Sequence, residues 1–226
     1  MLRRLIFDFD GLIADTESAI YAAWRELYQS QGHDLAVEQY VQCVGSTFLS
    51  FDPMAALEKL VGHSVDWEPL LRRKDARIRE MHRQMDTLPG VRTLLAEANS
   101  HGVECAVASS SEAAWLFPWL ERLGIRQHFR HICCRDDTAR AKPAPDLFLL
   151  AMDKLGVGPD ESLVLEDSAN GLKAAVAAGV PCIVVPNAIT RHSDFSQAAA
   201  ILPSLEGRTL RELSDAAAKP LLRGNI

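Results

Sequence analysis

The stretch Leu5-Ile6-Phe7-Asp8-Phe9-Asp10-Gly11 joins an apolar triplet directly to two acids and a glycine. A short unbroken apolar run bounded by polar residues suits a strand covered on both faces, the usual setting of a parallel sheet. Side chains alternate along an extended chain, so Asp8 and Asp10 share one side and Phe9 takes the other. Two neighbouring carboxylates repel, and keeping both ionised requires a cation or a shared proton. An isolated Asp-x-Asp fits a solvated turn or a helix cap equally well, so the rest of the chain has to decide.

Three further runs repeat the pattern: 103–108, Leu163-Val164-Leu165 and 182–185. Helical stretches separate most of them. This predicts repeated βα units with right-handed crossovers, an α/β fold on a Rossmann-like parallel sheet. Pro89-Gly90 opens a helix over 91–99 that His101-Gly102 ends. Ser168 is placed to N-cap a helix running through Ala-rich sequence to Gly179. Residues 16–87 break the alternation and read as a helical insert. There Asp52-Pro53 looks like an N-cap with proline at the first helical position, opening a helix through residue 60. Trp67, Leu70, Leu71, Ile78, Met81 and Met85 fall on one face of a later helix. The expected division is a core of 1–15 and 88–226 with a helical domain of 16–87 inserted.

The 226 residues suffice for such a core and insert. Apolar residues make up 48% and charged residues 24%, which argues against a disordered or fibrous chain. No apolar run approaches the ~20 residues that span a bilayer, and the segment after Arg3-Arg4 is too short for a secretory signal. The expectation is a cytoplasmic protein without a membrane partner, a monomer or weak homodimer. A net charge of -6 argues against nucleic acid as a partner. Cys43, Cys105 and Cys182 lie in apolar surroundings and read as buried thiols. Cys133-Cys134 with His128 and His131 raise a metal site, but their spacing matches no structural zinc pattern. Pro220 and Gly224 suggest a frayed C-terminus.

How the runs end singles the sheet out. The first ends in Asp8-Phe9-Asp10-Gly11, the second in Ser109-Ser110-Ser111, the third in Glu166-Asp167-Ser168. Open parallel sheets bind ligands outside the carboxyl ends of their strands, so these groups converge on one crevice. Glu166 and Asp167 beside the aspartate pair make an all-oxygen acidic site, which suits Mg²⁺ with water and substrate phosphate. Lys142, in Lys142-Pro143-Ala144-Pro145-Asp146, sits on a loop stiffened by prolines. A lone lysine is usually surface charge. Held near an acidic metal site, its ammonium neutralises nucleophile and phosphate together.

At these residues the chain resembles haloacid dehalogenase-like (HAD) superfamily hydrolases of subfamily I, the phosphatase and β-phosphoglucomutase type. Four blocks carry the resemblance in the family's order: 8–17, Ala108-Ser109-Ser110-Ser111, Lys142-Pro143-Ala144-Pro145-Asp146 and Glu166-Asp167-Ser168-Ala169-Asn170-Gly171. The resemblance implies Asp8 as the nucleophile that forms an aspartyl-phosphate and Asp10 as acid to the leaving oxygen, then base to water. It implies that Ser109 hydrogen-bonds the transferring phosphoryl and Lys142 balances its charge. Mg²⁺ would be held by Asp8, the backbone carbonyl of Asp10, Asp167, and Glu166 directly or through water. Gly11, Thr16, Gly45, Ser110 and Asn170 are expected around the substrate, a small phosphorylated metabolite. The family's dehalogenases lack an acid two residues after the nucleophile, so Asp10 favours phosphate chemistry.

In the same resemblance 16–87 is a cap that closes over the core and holds specificity. The sugar-phosphate mutase of the family has a histidine where this chain has Ile20, and an arginine shortly after its cap-loop glycine. Here Gly45 is followed by Ser46-Thr47-Phe48-Leu49. Both departures favour a phosphatase over the alternative, a phosphosugar mutase. Arg72, Arg73, Lys74, Arg77, Arg79 and Arg83 read either as an attractor for an anionic ester or as a solvated face. Trp24, Tyr28, Phe48 and Phe51 read as pocket lining or core fill.

Overall fold

Leu5, Ile6 and Phe7 are fully buried because the strand they form, β1 (Arg4–Phe7), has a layer of helices on each side. The computed structural model describes residues 3–46 and 50–218. Phe48 and the tail with Pro220 and Gly224 lie outside the described residues. The strands that join β1 are β2 (Glu104–Ala108), β3 (Phe129–Cys133), β4 (Ser162–Glu166), β5 (Cys182–Val184) and β6 (Ala200–Ile201). They form one sheet in the order β3-β2-β1-β4-β5-β6 with every pair parallel. The order reverses between β1 and β4, the switch point at which open α/β sheets bind ligands. Phe7 pairs with Val107 on one side and Leu165 on the other, so the acidic ends of β1 and β4 fall in step.

The sheet's pleat divides the core in two. Leu5, Phe7, Val107 and Leu165 face helices α5 (Val91–Ser100), α6 (Ala113–Arg122) and α9 (Leu210–Ala218). Ile6, Ala106, Val164 and Val184 face α7 (Asp146–Leu155) and α8 (Ala169–Ala177). Each fully buried Leu, Ile or Phe side chain contributes roughly 1.5–3 kcal/mol, so both layers are needed to hold β1 dry.

Four helices complete the order: α1 (Thr16–Ser30), α2 (Val37–Tyr40), α3 (Pro53–Val61) and α4 (Trp67–Met81). They form a helical insert, the cap, packed around Trp24, Leu27, Tyr28, Leu35, Tyr40 and Leu57 together with Ile189 from beyond β5. Tyr28 is therefore a core residue, Trp24 belongs to the same core and also borders the cleft between cap and core, and Phe51 packs against this cluster. The caps on α3 and α8 form as the sequence suggests. Asp52 Oδ1 accepts from the Met54 and Ala55 amides at 2.8 and 3.3 Å, and Ser168 Oγ accepts from the Gly171 amide at 3.0 Å.

Two expectations need correction. The apolar face of α4 stops short of Met85, because the chain tightens into a 3₁₀ turn at His82–Gln84 and Met85 is extended, packing against the sheet core instead. Strands β3 and β6 carry no continuous apolar run, since β3 exposes Arg130 and β6 exposes Ile201. Cys133 and Cys134 end β3 with their side chains in opposite core layers. Among the described residues they and the nearby histidines form no metal-binding group.

Candidate active site

At the carboxyl end of β1, the Asp8 amide still donates to the Leu165 carbonyl of β4 at 3.0 Å, so the backbone of Asp8 is fixed by the ladder. Lys142 is buried beside it. Its Nζ donates to Asp8 Oδ1 at 2.5 Å and Glu166 Oε1 at 2.7 Å, and lies 4.8 Å from the Phe148 ring centre. Desolvation pulls the Lys142 ammonium toward losing its proton, but Asp8 and Glu166 outweigh it and hold its pKa above the ordinary lysine range. For Asp8, burial dominates and pushes the carboxyl up to about 8. Lys142 opposes that shift, while Glu166 and Asp10 add to it.

Glu166 accepts from Lys142 on one oxygen. On the other it accepts from the Asp167 amide, the Ser168 amide and the Ser168 hydroxyl, each at 3.0 Å. Its carboxylate is saturated. Asp167 differs: Oδ2 accepts from Asn187 Nδ2 at 2.7 Å, while Oδ1 is buried with no hydrogen-bond partner. An orphaned carboxylate oxygen costs free energy unless a cation or donor meets it. Asp8, Glu166 and Asp167 bring ligand oxygens within 4.8 Å of one another. This hard, all-oxygen set fits a divalent cation.

The Asp10 side chain is separate from that group. Oδ1 accepts from the Thr16 hydroxyl at 2.7 Å and the Trp115 indole N–H at 3.0 Å. Oδ2 accepts from the Ser111 hydroxyl at 2.6 Å, with the Ser109 hydroxyl at 3.5 Å. Only through its backbone carbonyl does Asp10 remain in the expected metal set. Ser109 is buried, its amide bonded to Cys133 of β3 at 3.0 Å.

The other expected residues are close by. Gly11 has φ 83°, and a Cβ there would stand 2.3 Å from Asp167 Oδ2. Gly45, Ser110 and Asn170 form one contact between the cap and the core. Ser110 Oγ donates to the Gly45 carbonyl at 3.0 Å, and Asn170 Nδ2 donates to the Gln42 and Val44 carbonyls at 3.1 and 2.8 Å. A Cβ at Gly45, φ 73°, would meet Ser168 Oγ at 2.1 Å. Ser46 Oγ donates to the Lys142 carbonyl, which extends this contact to the lysine loop.

Between cap and core opens a cleft of about 470 Å³ with Asp10, Ser111 and Trp115 on the core side and Glu17, Ile20 and Lys74 on the cap side. Burial pushes the Glu17 carboxyl up to about 8, helped by Asp10 and opposed by the hydrogen bond from Tyr40. Of the six basic residues, only Lys74 and Arg79 line this cleft. Arg72 pairs with Glu68, and Arg77 with Glu26 and Glu80.

Sequence reasoning passed over Asn187, Glu17, Ser111 and Trp115 as functional positions. Asn187 was open to the same strand-end argument, since it lies three residues beyond the end of β5. Ser111 and Glu17 stood inside quoted blocks without a role. No sequence pattern marks Trp115.

A model of haloacid dehalogenase-like hydrolases matches residues 5–185. The chain belongs to this family. Over 190 residues it is 37% identical to YhcW of Bacillus subtilis (strain 168), described as a phosphatase, covering 84% of this chain and 86% of that one. It is 33% identical over 182 residues to the fructose-1-phosphate phosphatase YqaB of Escherichia coli (strain K12), covering 80% and 95%. The crystal structure of CbbY from Rhodobacter sphaeroides in complex with phosphate is similar with TM-score 0.73 and 30% identity, covering 95% of this chain and all of that one (100%). With phosphatases among its relatives the chain is a phosphoric monoester hydrolase, and its acidic cluster matches the divalent metal that the HAD family generally uses.

Proposed function

We propose that the enzyme hydrolyses a small phosphorylated metabolite of the sugar-phosphate class, through an aspartyl-phosphate on Asp8 with Mg²⁺ as its metal. The observation that carries this reading is the buried trio of Asp8, Lys142 and Glu166 beside the unpartnered Asp167 oxygen, with Asp8 two residues along the chain from Asp10, which lines the cleft. The sugar-phosphate class is supported by the fructose-1-phosphate phosphatase among the relatives.

In the first step the Asp8 carboxylate attacks phosphorus, and the leaving oxygen departs with a proton from Asp10. In the second, Asp10 takes a proton from water as that water attacks the phosphoryl group, which returns Asp8 and releases phosphate. Lys142 and Ser109 compensate charge on the phosphoryl oxygens, and the Glu166 hydrogen bonds hold the Lys142 ammonium in place. Mg²⁺ would be held by Asp8, Asp167 and the Asp10 carbonyl, with Glu166 directly or through water, and would supply positive charge that keeps Asp8 ionised. Residues 16–87 act as the closing cap over a core of 1–15 and 88–226. Ile20 at the cleft wall offers no polar group to restrain water, which favours hydrolysis over transfer to a second hydroxyl.

The five cysteines are free and buried, which supports a reducing, cytoplasmic setting. Among the described residues no helix is long and apolar enough to cross a membrane. The exposed large apolar residues Leu60, Phe117, Leu149, Val176 and Ile201 sit on five different elements, which supports a monomer or weak homodimer. No nucleic-acid or membrane partner belongs to this reading. The test is a panel of fructose 1-phosphate, other sugar phosphates, phosphoglycolate, nucleotides and 4-nitrophenyl phosphate, with and without Mg²⁺. Free phosphate released only with the metal is the expected result. An isomeric ester as product, or no turnover of any member, would contradict the proposal.

A further inference from the structure

The donors that surround Asp10 differ in kind. A hydroxyl donates or accepts by rotating, whereas an indole N–H only donates. The Trp115 N–H, 3.0 Å from Asp10 Oδ1, therefore commits that oxygen to accepting in every protonation state. Thr16 occupies the same oxygen at 2.7 Å. On Oδ2 the partners are the hydroxyls of Ser111 at 2.6 Å and Ser109 at 3.5 Å, and either can turn away from donating once that oxygen carries a proton. We propose that Trp115 is a positioning residue for the acid–base step: it assigns the transferable proton of Asp10 to Oδ2, the oxygen on the Ser109 side. The proposal rests on the reading of Asp10 as acid and base.

The indole is held from behind. Trp115, Trp119 and Arg122 lie along one face of α6, and the buried His82 packs against the two indoles with ring centres 5.7 and 5.0 Å away. Arg122 lies 4.5 Å from the centre of the Trp119 ring and donates to the His82 carbonyl and, at 3.1 Å, to the Met85 carbonyl. His82 and Met85 belong to the second of the two connections between cap and core, and Thr16 opens α1 at the end of the first. Asp10 Oδ1 is thus bonded directly from one connection and, through the Trp115–His82 stack, supported by the other. The proton-bearing oxygen is presented correctly only while both connections keep their packing.

Trp115→Phe keeps a ring against His82 and removes the N–H. The measurement is kcat/KM, which covers the steps through departure of the leaving group, on two esters. One is the alkyl phosphate turned over fastest in the panel above, whose oxygen leaves only with a proton. The other is 4-nitrophenyl phosphate, whose phenolate leaves without one. General acid catalysis supplies roughly 10²–10⁴ in rate. Loss of its alignment should cost about tenfold on the alkyl ester and less than about twofold on the aryl ester. Equal losses on both esters, or none, overturn the proposal.

Asp10→Asn separates the two readings. Discrimination between the esters in Asp10→Asn but not in Trp115→Phe leaves the acid assignment standing and removes the role of Trp115. Failure of Asp10→Asn to discriminate removes both. Trp119→Phe changes the same stack without taking a donor from Asp10, and should affect the two esters alike. Discrimination there of the size seen in Trp115→Phe would assign the effect to packing and overturn the proposal.

Discussion

Lys142 shares one ammonium between two carboxylates, all three groups buried. Breaking a buried ion pair from one side costs more than the pair contributes, because a charge is left without compensation. Lys142→Met in metal-free protein, above the Asp8 pKa of about 8 where that carboxyl is ionised, should therefore lower stability by about 3–5 kcal/mol, read as a fall in the urea midpoint. An unchanged midpoint would show that Asp8 and Glu166 are not held as charged partners. Glu17 has the opposite problem, since its carboxyl is pushed from 4.5 to about 8 with Tyr40 as its hydrogen-bond partner. A raised pKa means that the native state keeps a proton the unfolded chain has released. This contribution to stability is complete below pH 4.5 and is lost as pH rises through about 8. The melting temperature of the wild type should fall more steeply between those limits than that of Glu17→Gln, and parallel curves would exclude Glu17 as the source.

Among the elements, the cap loop is tied to the start of α8 by Asn170, whose amide bonds two carbonyls of the 37–46 segment. Two neutral hydrogen bonds to a buried amide amount to about 1–3 kcal/mol. Asn170→Ala should show that loss in chemical denaturation, and a stability equal to the wild type would mean that the loop is held by other contacts. Strand β1, the α3 and α8 caps and the strand ends were legible because each rests on local chemistry: an apolar run, an Asx or Ser cap, a polar residue where the run stops. Strand β3 was not, because an edge strand exposes Arg130 to solvent and needs no continuous apolar pattern. The continuation of the α4 stripe to Met85 failed for another reason. Periodicity does not sense the 3₁₀ turn at His82–Gln84, which is held from outside by Arg122. Trp115 was invisible for the same reason, since its bond to Asp10 spans 105 positions and exists only after α6 packs.

For the molecule as a whole, the two core layers hold a rigid sheet, and the cap contributes the wall facing Asp10 across the cleft. The sequence located Asp8, Asp10, Ser109, Lys142, Glu166 and Asp167 by their places at strand ends and on one loop, and the fold brings them together at the switch point. The division of the acids between metal and proton work came from the family resemblance alone. What the fold adds is their surroundings: a Glu166 carboxylate met by donors on both oxygens, an orphaned oxygen on Asp167, and hydroxyl and indole donors around Asp10. The central claim is that Asp8 carries the phosphoryl group between substrate and water. Rapid acid quench of the enzyme turning over a radiolabelled phosphate ester, followed by peptide mapping, tests it directly. The expected result is label on the peptide containing Asp8, released by hydroxylamine and absent in Asp8→Asn, which should also lose at least about 10³-fold in turnover. Label on another peptide, or normal turnover in Asp8→Asn, would contradict the account.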